Sequence, residues 1–231
     1  MNILRCLLDF FFPRFCLMCG ERLRLWETLI CIHCNVDLPR TMQWKKPQDN
    51  DLSNKIMGRA NIAKAAAFLY YRKKSATTNI FISFKSGKYP YAATFMGHAM
   101  AVEMSTDGLF EDIDCFVTVP ADRKRKKKRG YDQNEILAEA MAEKLNIPVI
   151  RDVLKRKSDS LMQKRLGAMA RAENAAQSYT VSANAARVAG LHCMLVDDII
   201  TTGSTIVSCA NALLKIPGTR VSVISLGCTR L

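Results

Sequence analysis

The stretch "CMLVDDIITTGST" (residues 193–205) constrains the fold more than any other part of the chain. Its apolar run is continuous rather than alternating, which is the pattern of a strand covered on both faces, as in a parallel α/β sheet. It ends in two carboxylates, Asp197 and Asp198, followed by Thr201, Thr202, Gly203, Ser204 and Thr205 and then by a helical pattern from Ser204 onward. In parallel sheets, ligands lie beyond the carboxyl ends of the strands, so the two aspartates stand where a site belongs.

The chemistry of the stretch divides in two. The first N–H groups of a helix lack partners within it, and the helix dipole puts partial positive charge there. Thr and Ser hydroxyls add donors and Gly203 permits close backbone approach, so Thr201–Thr205 reads as a phosphate cradle. Carboxylates would repel a phosphate, so Asp197 and Asp198 are assigned to sugar hydroxyls, with Mg²⁺ as counter-charge. A phosphorylated ribose satisfies both halves. The competing reading makes these residues caps only; a cap needs one such residue, and residues 197–205 offer seven in nine positions. A Walker-type loop is excluded, because no GK[ST] is present.

From about residue 61 onward the chain alternates strand and helix patterns. Strands are expected at 65–71, 113–120, 148–154, 190–198 and 220–227, and helices at 77–85, 91–104, 131–146 and 204–216. Asp132 followed by Glu135 is the capping-box pattern at the start of the 131–146 helix. Residues 155–178 lack a clean period and read as a long basic loop with some helix. The fold class is therefore α/β, a mostly parallel sheet flanked by helices.

Residues 1–60 differ, being rich in Cys, Pro, Trp and Arg. Cys16 and Cys19 form one CxxC, and Cys31 and Cys34 a second after an eleven-residue spacer. Each pair makes a knuckle presenting two thiolates, and four sulfurs complete a closed tetrahedral Zn²⁺ site, with Gly20 turning the chain after the first knuckle. A redox CxxC is the alternative, but it needs only one copy. So small a segment has little core of its own, and metal binding would supply much of its folding free energy. Cys6 is a substitute ligand or a buried apolar residue. Cys115, Cys193, Cys209 and Cys228 fall on predicted strands or helices as core residues, and His33, His98 and His192 read as packed or surface side chains. Two units follow, a zinc-binding module at 1–60 and an α/β domain at 61–231.

Seven of the thirteen net positive charges lie in one run, "RKRKKKR" (123–129), which points to a polyanionic partner, nucleic acid or a polyphosphate; a solvated loop is the plainer reading. Aromatic stacking platforms are not evident beside the run. The N-terminal "MNILRCLLDFFFPRF" is interrupted by Arg5 and Asp9 and has no small-residue cleavage site, so residues 3–12 are expected to form a short amphipathic helix docked on a neighbour. With no apolar window long enough to span a bilayer, the expected location is the cytoplasm.

Four apolar residues, Asp-Asp, two more apolar residues and Thr-Thr-Gly-Ser-Thr resemble the signature of type I phosphoribosyltransferases for 5-phosphoribosyl 1-diphosphate (PRPP). Joined to the cysteine pairs, nearly the whole chain is similar to the ComF family (competence protein F, GntX-like). "FFPRFCLMCGERL" and "CIHCNVDLPR" resemble its zinc-binding front, and "FKSGKYPYAATFMG" its Lys-containing segment. "VTVPADRKRKKKRGYDQNEILA" resembles its VPVP–basic loop–RGFNQ stretch, and "RKSDSLMQKRLGAMARAEN" its Arg-rich segment, with Thr118 and Asp132 departing from the usual Pro and Asn.

The resemblance implies that Asp197 and Asp198 hold the ribose hydroxyls of PRPP and that Thr201–Thr205 takes its 5-phosphate, with Mg²⁺. The residues' own chemistry fits that reading: Pro120, at the end of its strand, and Arg129 are placed to meet the diphosphate. The 155–171 loop with Lys164, Arg165 and Arg171 is the candidate to close over its developing charge, an exposed basic loop with no catalytic role being the plainer alternative. The resemblance further implies DNA uptake in natural transformation, single-stranded DNA handling, and competence helicase or recombination proteins as partners. A phosphoribosyltransferase activity is one expectation; a non-catalytic nucleic-acid adaptor or a PRPP-sensing regulator on the same fold is the other.

Overall fold

The computed structural model describes residues 9–86, 89, 91–122, 126–127, 129–156 and 178–230. Its centre is a four-stranded, all-parallel sheet. The strands are β1 (Ala65–Tyr70), β2 (Cys115–Thr118), β5 (His192–Ile200) and β6 (Arg220–Cys228), in the order β1-β6-β5-β2. A separate antiparallel ribbon pairs β3 (Leu154–Arg156) with β4 (Tyr179–Val181).

Alternate residues of each strand face opposite sides, and both sides are covered. Phe68, Phe116, Met194, Val196 and Ile224 belong to one buried cluster, and Ala67, Val117, Leu195 and Val223 to the other. That is why β5 runs apolar from Cys193 to Val196 instead of alternating. Helices α4 (Tyr91–Met104) and α5 (Gln133–Leu145) supply Met96, Met100, Leu137 and Met141 to the first cluster. Helices α2 (Asp51–Ile56) and α6 (Ser204–Leu213) supply Leu52, Ile56, Ile206 and Leu213 to the second. The remaining described α-helices are α1 (Ile32–Val36) and α3 (Thr78–Ser86).

The front segment is not a separate bead. Leu23, Leu29, Leu38 and Trp44 are buried in the same cluster as Phe68 and Met100, and Arg40 bridges to Glu103 of α4 at 2.5 Å. Residues of α2, within the first sixty, close the opposite face of the sheet.

Three expectations change in detail. The 148–154 stretch is not one strand: Val149 makes a single parallel bridge to Phe116, and pairing resumes only at Leu154, after a turn in which Asp152 has φ +58°. The 113–120 strand contracts to Cys115–Thr118: Pro120 has no N–H to donate, and although the Asp114 N–H reaches His192 O, the His192 N–H goes to the Asp114 carboxylate rather than to a backbone carbonyl. The capping box at α5 closes on one side only: Asp132 caps Asn134 N at 3.0 Å, while Lys126 takes the Glu135 carboxylate at 2.8 Å.

Candidate functional site

At the carboxyl end of β5, Asp197 is buried and Asp198 half-buried. Strand β2 lies in register alongside, Thr118 opposite Val196, and Val119 N bonds to Val196 O at 2.9 Å. The "TVPA" turn therefore borders the aspartates, with Pro120 half-buried within it.

Both aspartates are held by the first turn of α5. Asn134 Nδ2 donates to Asp197 Oδ1 at 3.1 Å and to Val119 O at 2.9 Å. Gln133 Nε2 donates to Asp198 Oδ2 at 3.2 Å, and the Arg129 guanidinium donates to Gln133 Oε1 at 2.7 Å. A polar chain thus runs from the end of the basic stretch through Gln133 to Asp198. Gly130, at φ +82°, makes the turn that brings it round. Asp132, which caps this helix, is buried, and burial raises its carboxyl above the usual range against the opposing bonds from Ala121 N and Asn134 N.

Beyond Ile200 the chain turns through Thr201 and Thr202 to Gly203, which caps α6 at φ +76°. The glycine answers to that backbone angle; a Cβ there would meet nothing closer than 3.6 Å. Thr201, Thr202 and Thr205 are exposed at the helix start and Ser204 is half-buried. Lys55 of α2 donates to Thr201 O at 3.0 Å and to Thr229 O at 3.2 Å. Arg59 donates to Thr202 O at 2.9 Å and to Ser204 Oγ at 3.3 Å.

The structure thus brings Asp197, Asp198, Thr201–Thr205, Pro120 and Arg129 to the carboxyl edge of the sheet. Lys164, Arg165 and Arg171 lie outside the described residues, as do Cys6 and four members of the basic run. Sequence reading missed Gln133, Asn134, Lys55 and Arg59. "DQN" stood in the stretch that resembles the ComF family, but nothing local marks it as a partner of residues 63 and 65 positions away.

The four cysteines of the two CxxC pairs form one cluster, their Sγ atoms all within 4.8 Å of one another, with Cys19 and Cys31 3.8 Å apart. A tetrahedral ion with Zn–S bonds near 2.3 Å holds its sulfurs about 3.8 Å apart, so the cluster fits structural zinc. Cys31 N donates to Cys16 Sγ at 3.3 Å and Cys34 N to Cys31 Sγ at 3.5 Å, the amide-to-sulfur bonds of a knuckle. Gly20, at φ +77°, sends its N–H back to Cys16 O. Burial works against ionising Cys16, yet the backbone N–H groups around it bring its thiol down to about 7. Burial and the neighbouring sulfurs push Cys34 up, because four thiolates cannot share one place without a cation. Among the described residues no helix is long and apolar enough to cross a membrane.

No family model matches the chain. Over 103 residues it is 29% identical to competence protein F of Haemophilus influenzae, a match covering 45% of this chain and 45% of that protein. Over 102 residues it is 31% identical to the DNA utilization protein YhgH of Salmonella typhimurium, covering 44% of each. The match thus spans less than half the length of these curated relatives. Among solved structures, the glutamine PRPP amidotransferase of B. subtilis complexed with ADP and GMP aligns at 21% identity and a TM-score of 0.40, over 57% of this chain and 25% of that one. Adenine phosphoribosyltransferase from Leishmania tarentolae aligns at 15% identity and a TM-score of 0.34, over 78% and 88%. Over the matched segment, this parallel α/β chain with its four-cysteine front is a homologue of proteins named competence protein F and DNA utilization protein YhgH.

Proposed function

We propose that the chain binds a 5-phosphoribosyl ligand, PRPP with Mg²⁺, at the carboxyl end of β5, and serves DNA uptake or utilization as the names of its relatives suggest. The observation that carries the reading is the continuity of two unlike surfaces. Asp197 and Asp198 are carboxylates held in place by amides, suited to accept from ribose hydroxyls. Directly after them, Thr201, Thr202, Gly203, Ser204 and Thr205 present hydroxyls and N–H groups at a helix start, suited to a phosphate. Mg²⁺ would offset the charge of the diphosphate beside the carboxylates. Pro120 and Arg129 border the diphosphate side, and Lys164, Arg165 and Arg171 are assigned to it by their charge. Cys16, Cys19, Cys31 and Cys34 hold a structural Zn²⁺. The module of residues 1–60 and the domain of 61–231 act together in the cytoplasm, with competence helicase or recombination proteins as partners.

Calorimetry with PRPP and Mg²⁺ tests the site. Wild type gives a saturable heat, and Asp197→Ala combined with Asp198→Ala abolishes it; equal heats would refute the assignment. Turnover is a separate claim, read as diphosphate release when bases, nucleosides or DNA are supplied as acceptors.

A second reading, single-stranded DNA binding, is favoured by the front segment. Phe10, Phe11, Phe12, Phe15 and Trp26 are each between 59% and 75% exposed, and the Arg24 guanidinium lies 5.5 Å from the Trp26 ring centre. Bare rings beside arginine are the elements on which successive bases stack. Anisotropy of a labelled oligothymidine tests it: Trp26→Ala with Phe12→Ala weakens binding, and neutralising Arg123–Arg129 flattens the salt dependence. Unchanged affinity and slope in both variants would discard this reading.

A further inference from the structure

The loop that follows the aspartates is held from behind by two cations that the sequence does not place there. Lys55 lies in α2 and Arg59 three residues after its end. They reach residues 146 and 143 positions further along the chain, Thr201 O and Thr202 O respectively. In a trans peptide the carbonyl and the following N–H point in opposite directions. Drawing Thr201 O toward Lys55 therefore turns the Thr202 N–H away from it. Drawing Thr202 O toward Arg59 does the same for the Gly203 N–H. Among the described residues no backbone carbonyl accepts from either N–H. Beyond them the first N–H groups of α6 lack partners within the helix.

Among the described residues neither cation pairs with a carboxylate: every described hydrogen bond from Lys55 and Arg59 goes to a carbonyl or a hydroxyl oxygen. Two positive charges thus stand behind a turn whose amides face the other way.

We infer that Lys55 and Arg59 are positioning residues for the proposed phosphate loop. They aim the Thr202 and Gly203 N–H groups at the anion and add its counter-charge from the rear, so that the site prefers phosphorylated over unphosphorylated ribose. The inference rests on the phosphoribosyl reading above. A clamp that served stability alone would tie down the same carbonyls, and the two roles part in what the ligand feels.

The test uses the full zinc-loaded chain, labelled with ¹⁵N and titrated with ribose 5-phosphate. In wild type, the Gly203 and Thr202 amide resonances move downfield on saturation, as N–H groups that bond to phosphate do. In Arg59→Met and in Lys55→Met, affinity falls about tenfold or more, the scale of a lost hydrogen bond to a charged group. The Gly203 shift shrinks in step, while the remaining spectrum stays folded. Arg59→Lys, which keeps a cationic donor for Thr202 O, restores most of the affinity. Because Arg59 is exposed, its replacement leaves the core intact; should Lys55→Met fail to fold, the Arg59 series decides. If wild type binds ribose 5-phosphate and the Arg59 variants bind it equally, with the same Gly203 shift, the inference is wrong and the phosphoribosyl reading stands. If wild type binds neither ribose 5-phosphate nor PRPP, both fall.

Discussion

The side chain of Asn134 donates to Asp197 Oδ1 at 3.1 Å, tying the first turn of one helix to the end of a central strand 63 residues further on. The same amide donates to Val119 O, so one buried side chain joins α5, the turn after β2, and β5. Its own Oδ1 is buried and, among the described residues, has no hydrogen-bond partner. Nδ2 serves two acceptors, so flipping the amide would take a donor from Val119 O and from Asp197 Oδ1, the latter keeping the Asp198 N–H at 2.9 Å. Asn134→Leu is expected to cost about 1–3 kcal/mol in chemical denaturation, the penalty of taking a donor away from buried acceptors. PRPP affinity should fall with it, because Asp197 loses one of the donors that orient it. A fully stable variant would show that the bond is incidental.

Removing zinc should reach the core. Trp44 is 2% exposed and shares a buried cluster with Leu29, Phe68 and Met100. Elemental analysis should find one zinc per chain. Chelation, or Cys34→Ser, should expose Trp44 to quenchers and lower the unfolding midpoint, because metal binding contributes folding free energy. Loss of metal with no change in Trp44 quenching would mean that the cluster is ornamental to the core.

Acid should weaken the chain through His192. The imidazole is buried, bonded to Ser222 Oγ at 2.8 Å, with Nδ1 3.2 Å from Asp112 Oδ2. Burial holds its pKa below the usual imidazole value against the pull of Asp112. The native state therefore binds this proton less readily than the unfolded chain. The stability it contributes is present above about pH 6.5 and is lost as pH falls below it, with a slope of at most about 1.4 kcal/mol per pH unit. His192→Gln should flatten that part of the curve in denaturant titrations run from pH 7 down to 5. An unaltered slope would assign the acid sensitivity to other groups.

The α4–α5 contact should be intolerant of a single methyl. A Cβ on Gly97 would lie 2.6 Å from the Ala140 Cβ and 2.8 Å from Leu137 O. The helices cannot shift apart freely, because Met96, Met100, Leu137 and Met141 are already packed in one cluster. Gly97→Ala is expected to cost about 1–3 kcal/mol, as overpacking does, despite the higher helix propensity of alanine. A neutral or stabilising result in equilibrium unfolding would mean that this interface adjusts.

By itself the sequence determined whatever repeats over a few residues. The apolar run of β5, the helix after Gly203, the cap at Asp132 and the paired CxxC spacing follow from local periodicity and ligand geometry, and the structure contains each of them. It also placed the aspartates directly before the hydroxyl-rich turn, because that adjacency is covalent. Only the tertiary structure decided what surrounds them. Gln133 and Asn134 reach Asp198 and Asp197 because β2 lies beside β5, and Lys55 and Arg59 reach the turn because α2 covers the same sheet face as α6. Those encounters depend on strand order and on which face each helix takes. Local hydrophobic patterns leave both open, since a buried strand reads the same whichever neighbour it acquires.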